Sequence, residues 1–272
     1  MSLRRLLAAL ASVAALSALA GVAAPTASAA PAWAPAATAA IHPGVQTYTE
    51  GAQCTANFIF TNATDVFIGQ AAHCSGTGAA TETDGCDSAS LPLGTPVEID
   101  GATRPGVLVY NSWLAMQDDG ETDPDTCAYN DFALVRIDPA DHDKVNPSIP
   151  FWGGPVAVGD ETAALETVYS YGNSSLRLGI ELLSPKQGTS LGTNGGGWNH
   201  PVYTVTPGIP GDSGSAFLDS EGNAIGVLST LQLAPLVASN GVSDVGLALD
   251  SARTYGFAVD LVPGTEPFAP LL

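Results

Sequence analysis

Short runs of apolar, aromatic and β-branched residues recur along the chain at positions 54–60, 66–70, 107–110, 132–137, 202–206, 215–218 and 224–229, bounded by Gly, Pro, Asn and Asp. Runs of that length and composition read as β-strands. The brief polar connections at 62–65 and 219–223 suit hairpins of an antiparallel sandwich or barrel. One helix candidate stands near the C-terminus, with Ser243 as its cap, Val245, Ala248, Leu249 and Ala252 on one face and Gly256 as its stop. Val245, Leu247 and Leu249 also alternate, so a strand interrupted at Gly246 competes for the same stretch. The pattern is all-β, without internal repeats.

Composition agrees with it. Of 272 residues only 13% are charged, against about a quarter in average domains, and 30 Gly plus 20 Pro favour turns over long helices. The formal net charge of -19 repels phosphate backbones and anionic lipid, which argues against nucleic-acid and membrane-surface partners. At the N-terminus Arg4 and Arg5 precede an apolar run over 6–24, and Ala27-Ser28-Ala29 offers small residues for cleavage. Residues 1–29 thus read as a signal peptide, 30–40 as a Pro/Ala-rich linker or short propeptide, and 41–272 as the folded part, dividing at roughly 140–160. The expected product is secreted and free of the membrane once processed.

Export permits disulfides, and Cys54, Cys74, Cys86 and Cys127 form an even set with three possible pairings. Sequential pairing would close loops of roughly 20 and 40 residues, each worth ~3 to 4 kcal/mol by chain entropy. Zinc-ligand spacing is missing, and no metal or cofactor is expected. Five carboxylates crowd into residues 118–125, but their spacing is not that of a calcium loop, and a solvated surface loop is the expected reading.

Three segments carry candidate chemistry. His73 closes an apolar strand in Gln70-Ala71-Ala72-His73-Cys74. Asp131 stands at the mouth of a buried run in Asn130-Asp131-Phe132-Ala133-Leu134, where an unpaired carboxylate would cost several kcal/mol and so needs a partner. Ser213 lies in the glycine-flanked turn Gly211-Asp212-Ser213-Gly214-Ser215. A serine hydroxyl becomes a nucleophile only with a base in reach, and the base needs an acid to fix its tautomer. The chain order His, Asp, Ser and the missing final glycine of a G-x-S-x-G elbow both disfavour an α/β-hydrolase.

Together these segments resemble the three signatures of chymotrypsin-like serine proteases, in a divergent branch of the secreted bacterial type. The resemblance implies two antiparallel six-stranded β-barrels with a short C-terminal helix. His73 and Asp131 would come from the first barrel, Ser213 from the second, and the active site would lie between them. It implies a secreted serine endopeptidase with catalytic His73, Asp131 and Ser213, an oxyanion hole from the N–H groups of Gly211 and Ser213, and Ser229 supporting Asp131. It also implies that Cys54 pairs with Cys74, in keeping with the sequential scheme. Pro207, Thr230 and Leu231 would shape the substrate pocket, with Pro207 where trypsin-like relatives carry an acid, so small or medium apolar side chains are expected. Asp212 would be buried and need a cation, either a freed amine at Ile41 or an internal arginine such as Arg177. The expected partner is a protein or peptide substrate, and the expected state a monomer. A non-catalytic protein-binding module on the same scaffold and an exported esterase are the alternatives.

Overall fold

The computed structural model describes residues 32–79, 82–232 and 236–270. The signal peptide read over 1–29 lies outside them. Seven strands and two helices occupy the first half of the described chain: β1 (Gln46–Thr49), β2 (Ala52–Thr55), β3 (Ile59–Thr61), β4 (Val66–Gln70), β5 (Pro96–Ile99), β6 (Gly106–Asn111), α1 (Ser112–Asp119), α2 (Pro124–Tyr129) and β7 (Ala133–Arg136). The second half carries β8 (Ala164–Tyr171), β9 (Pro185–Leu191), β10 (Asn199–Thr204), β11 (Ala216–Leu218), β12 (Ala224–Gln232), β13 (Ser239–Asp244), α3 (Val245–Thr254) and β14 (Asp260–Leu261).

The second half closes into a six-stranded antiparallel barrel in the order β10-β13-β12-β11-β8-β9. The first half is an eight-stranded sheet in the order β14-β3-β4-β7-β6-β5-β1-β2. Its members β2, at one edge, and β3, next to β14 at the other, are consecutive pieces of one strand bent at residues 56–58. Ala56 N–H donates to the Val45 carbonyl while Asn57 N–H donates to Gly69, so the strand changes partner within one residue. The sheet therefore closes on itself through that bend as a six-stranded barrel, with β14 added from the C-terminal tail along β3.

This geometry explains why the strongest strands are continuous apolar runs rather than alternating ones. Side chains alternate faces along a strand. Ile59, Val66, Ile68, Ala133 and Val135 fill the first barrel. Their neighbours Phe58, Phe60, Phe67, Phe132 and Leu134 join a second cluster with Trp152, Tyr169, Ala216, Val227 and the α3 residues Val245, Ala248 and Ala252. Both faces are covered, and each buried aromatic or aliphatic side chain contributes about 1.5–3 kcal/mol.

Helix α3 forms on the predicted face, capped by Asp244 rather than Ser243: Leu247 N–H donates to Asp244 Oδ1 at 2.6 Å, while Ser243 still belongs to β13. The acidic stretch is ordered differently from a plain surface loop. Asp118 and Asp119 end α1, Gly120 stops it at φ 75°, and Asp123 caps α2 through Thr126 N–H. Residues 32–40, read as a linker, lie against the first barrel, where Trp33 packs on the core and Ala34 N–H donates to Val145.

Candidate active site

Strand β4 ends at Gln70, and the chain turns through one 3-10 turn, Ala72–Ser75, that presents His73. Cys74 is tied to Cys54 of β2 by a disulfide, and a second disulfide joins Cys86 to Cys127 in α2. Asp131, fully buried, follows α2 directly. Its Oδ2 stands 2.6 Å from His73 Nδ1, and its Oδ1 accepts His73 N–H at 2.9 Å. A third donor is Ser229 Oγ, 2.6 Å from Oδ2. Donation from Nδ1–H to the carboxylate leaves Nε2 as the basic nitrogen.

Burial opposes the negative charge on Asp131, but His73 beside it and the hydrogen bonds from His73 and Ser229 prevail, holding the carboxyl below its ordinary range. Burial likewise opposes the imidazolium, and Asp131 outweighs it, so the His73 pKa is raised. Two residues beyond the sequence reading hold the aspartate's backbone. Ser243 Oγ accepts Asp131 N–H at 3.2 Å and donates to the Tyr129 carbonyl at 2.5 Å. Ser112 Oγ accepts Phe132 N–H and donates to the Asn130 carbonyl.

Ser213 sits in the turn before β11. Gly211 has φ 93° and Gly214 φ 87°, conformations that L side chains rarely adopt. A Cβ at Gly211 would also collide with the Gln53 side chain. The N–H groups of Gly211 and Ser213 have no acceptor among the described residues, whereas those of Asp212 and Gly214 on either side are bonded. His73, Gly211 and Ser213 line one cavity of about 800 Å³. Ser213 and His73 both line it, with no hydrogen bond between their side chains among the described residues.

The cavity also takes in Thr230, Leu231 and the expected supporting residue Ser229. Pro207, expected in the pocket, lies outside the lining. Its carbonyl faces Arg177 and Lys186 at 3.5 Å, and Gly208, Leu228 and Asn240 take the wall instead. Leu231 stands on the rim, 60% exposed. Asn240, buried in the same lining, accepts Gly208 N–H at 2.8 Å.

Asp212 is fully buried beneath the turn. Arg177 lies 2.5 Å and Lys186 Nζ 3.0 Å from its Oδ2, and the N–H groups of Ser174 and Ile209 complete its partners. Burial alone would raise this carboxyl, but Arg177 and Lys186 hold it below the ordinary carboxylate range. Of the two cation sources considered, the internal arginine is the one in place. Ile41 N–H donates to the Lys144 carbonyl. Lys186 was not foreseen. Nothing in the sequence marks it, since a strand cation can equally face solvent, as Arg136 does in β7.

No protein-family model matches the sequence, and no curated protein does. Solved structures do. The chain is similar to Thermobifida fusca Protease A, with TM-score 0.53 and 19% identity over 83% of this chain and 100% of that one. It is also similar to a glutamic acid specific serine protease described as using a histidine triad in substrate binding, with TM-score 0.52 and 17% identity over 82% of this chain and 100% of that one. At those identities the shared property is the fold, which is that of the bacterial chymotrypsin-like serine proteases.

Proposed function

We propose that this chain, with its chymotrypsin-like fold, is a secreted serine endopeptidase. The observation that carries the reading is His73, paired with the buried Asp131, lining the same cavity as Ser213 and Gly211, whose N–H groups are unbonded among the described residues. In the proposed reaction Ser213 Oγ attacks the scissile carbonyl carbon as its proton passes to His73 Nε2. The carbonyl oxygen takes up the negative charge between the two N–H groups. The C–N bond then breaks, His73 returns the proton to the leaving amine, and water repeats the sequence on the acyl-enzyme. Asp131 stays ionised throughout, steadying the imidazolium.

While Glu82 lines the cavity from the first half of the chain, the residues that line it from the second barrel include Gly208, Ile209, Leu228, Thr230, Leu231 and Asn240, all uncharged. That supports cleavage after uncharged side chains of small or medium size. Two disulfides support an oxidising compartment, as expected of an exported protein. The test is labelling with a fluorophosphonate together with digestion of labelled casein, in the wild type and in Ser213→Ala. Ser213-dependent labelling and cleavage are expected. Labelling without peptide cleavage points to an esterase, and neither to a binding module.

A further inference from the structure

The loop after β8 reaches back under the Ser213 turn, and one buried side chain in it touches the backbone that sets the direction of the Gly211 N–H. Ser174 Oγ donates to the Pro210 carbonyl at 2.6 Å. The peptide between Pro210 and Gly211 is trans, so its N–H points opposite to its C=O. Fixing the carbonyl toward Ser174, which is not part of the cavity lining, directs the Gly211 N–H to the other side, where Pro210, Gly211 and Ser213 border the cavity.

We propose that Ser174 is the positioning residue of the oxyanion hole, holding the Pro210–Gly211 peptide with its N–H toward the attacked carbonyl. This rests on the serine-endopeptidase reading of the site. A clamp is needed because glycine tolerates several backbone arrangements at little cost. Without the hydroxyl, the Pro210 carbonyl would lack its donor and the peptide would gain by rotating to find another. The next carbonyl is fixed as well. Gly211 O accepts Thr55 Oγ1 at 2.7 Å and Gln53 Nε2 at 2.9 Å, so rotation is confined to the peptide that Ser174 holds. Ser174 is itself anchored, since its N–H donates to Asp212 Oδ1 and its Oγ accepts Leu176 N–H.

The experiment compares Ser174→Ala and Ser174→Cys with the wild type in cleavage of labelled casein, alongside melting curves and an NMR titration of the His73 ring. Removing an oxyanion donor outright costs about a hundredfold to a thousandfold in turnover. Losing only its alignment should lower kcat about tenfold to a hundredfold, with KM within about twofold and the His73 titration unmoved. Folded variants with wild-type kcat overturn the proposal, as does a fall in kcat tracked by a shifted His73 titration. If neither variant folds, the hydroxyl is structural and the proposal is again overturned. Failure of the underlying reading is separately visible: wild type and Ser213→Ala would then digest casein equally, and this proposal would fall with it.

Discussion

Ser229 and Asp131 are 98 residues apart, lie in different barrels, and meet at 2.6 Å. The meeting depends on an irregularity in β12, whose pairing with β13 shifts register between Leu228 and Thr230. The extra residue, Ser229, is turned out of the ladder toward the carboxylate. A hydrogen bond to a charged group contributes about 1.5–3 kcal/mol, so Ser229→Ala is expected to reduce kcat about tenfold or more. Steady-state cleavage of casein checks it; unchanged kcat would remove Ser229 from the support of Asp131.

The pair sets a pH dependence. Only neutral imidazole accepts the serine proton, and Asp131 raises the His73 pKa above 6.5. Activity should therefore rise with pH, with its midpoint above 6.5. In Asp131→Asn the midpoint of the residual rate moves down. The pair's contribution to stability runs the other way: complete while the ring is charged, it fades as pH climbs through the raised pKa. A rate profile flat between about 5 and 9 would contradict the assignment.

His73→Ala and Asp131→Asn should each lower turnover by about four orders of magnitude, as in other triads. Ser213 is partly exposed beside the cavity, so Ser213→Ala should leave Tm within about 3 °C. Near-normal turnover in any of the three would exclude that residue from the chemistry.

Asp212→Asn leaves Arg177 and Lys186 buried without their anion, a loss of about 3–5 kcal/mol. For a chain of this size that lowers Tm by about 6–20 °C. Lys186→Met should cost less, because Arg177 still faces the carboxylate. The stabilisation held by Asp212 is present above the ordinary carboxylate range and is lost as pH falls through its depressed pKa, so the wild type should weaken in acid while Asp212→Asn loses that dependence. Thermal melts across pH measure both.

The disulfide between Cys86 and Cys127 closes 41 residues, and Cys127 precedes Asp131 by one helical turn. Replacing both cysteines with Ala should cost about 4 kcal/mol. Denaturant titration reads the loss.

The sequence disclosed the strands whose two faces both meet apolar partners, such as β4 and β7, because their runs are uninterrupted. It did not disclose β13. All six of its residues, Ser239 to Asp244, are buried, yet only Val242 is a large apolar side chain. Its polar groups are used internally: Asn240 on Gly208, Ser243 on Asp131 and Tyr129, and Asp244 on His200 at 2.8 Å and on the start of α3. A strand buried through its hydrogen bonds has no hydrophobic period to read. Helices α1 and α2 escaped for a related reason: they span eight and six residues, and α1 buries only Ser112, Trp113 and Met116. The triad candidates were legible because their neighbours are constrained by chemistry. The supporting shell of Ser174, Lys186, Asn240 and Ser243 was not, since ordinary polar residues acquire those roles only when the chain is folded.

The bent strand formed by β2 and β3 does more than close the first barrel. Thr55 N–H donates to the Ser213 carbonyl at 2.8 Å, and Asn57 Nδ2 to that of Gly214 at 3.1 Å. The turn that bears Ser213 is thus laced to the opposite lobe through its own main chain. Moving one lobe against the other would have to break these two bonds, so the position of Ser213 is tied to how the barrels are seated on each other.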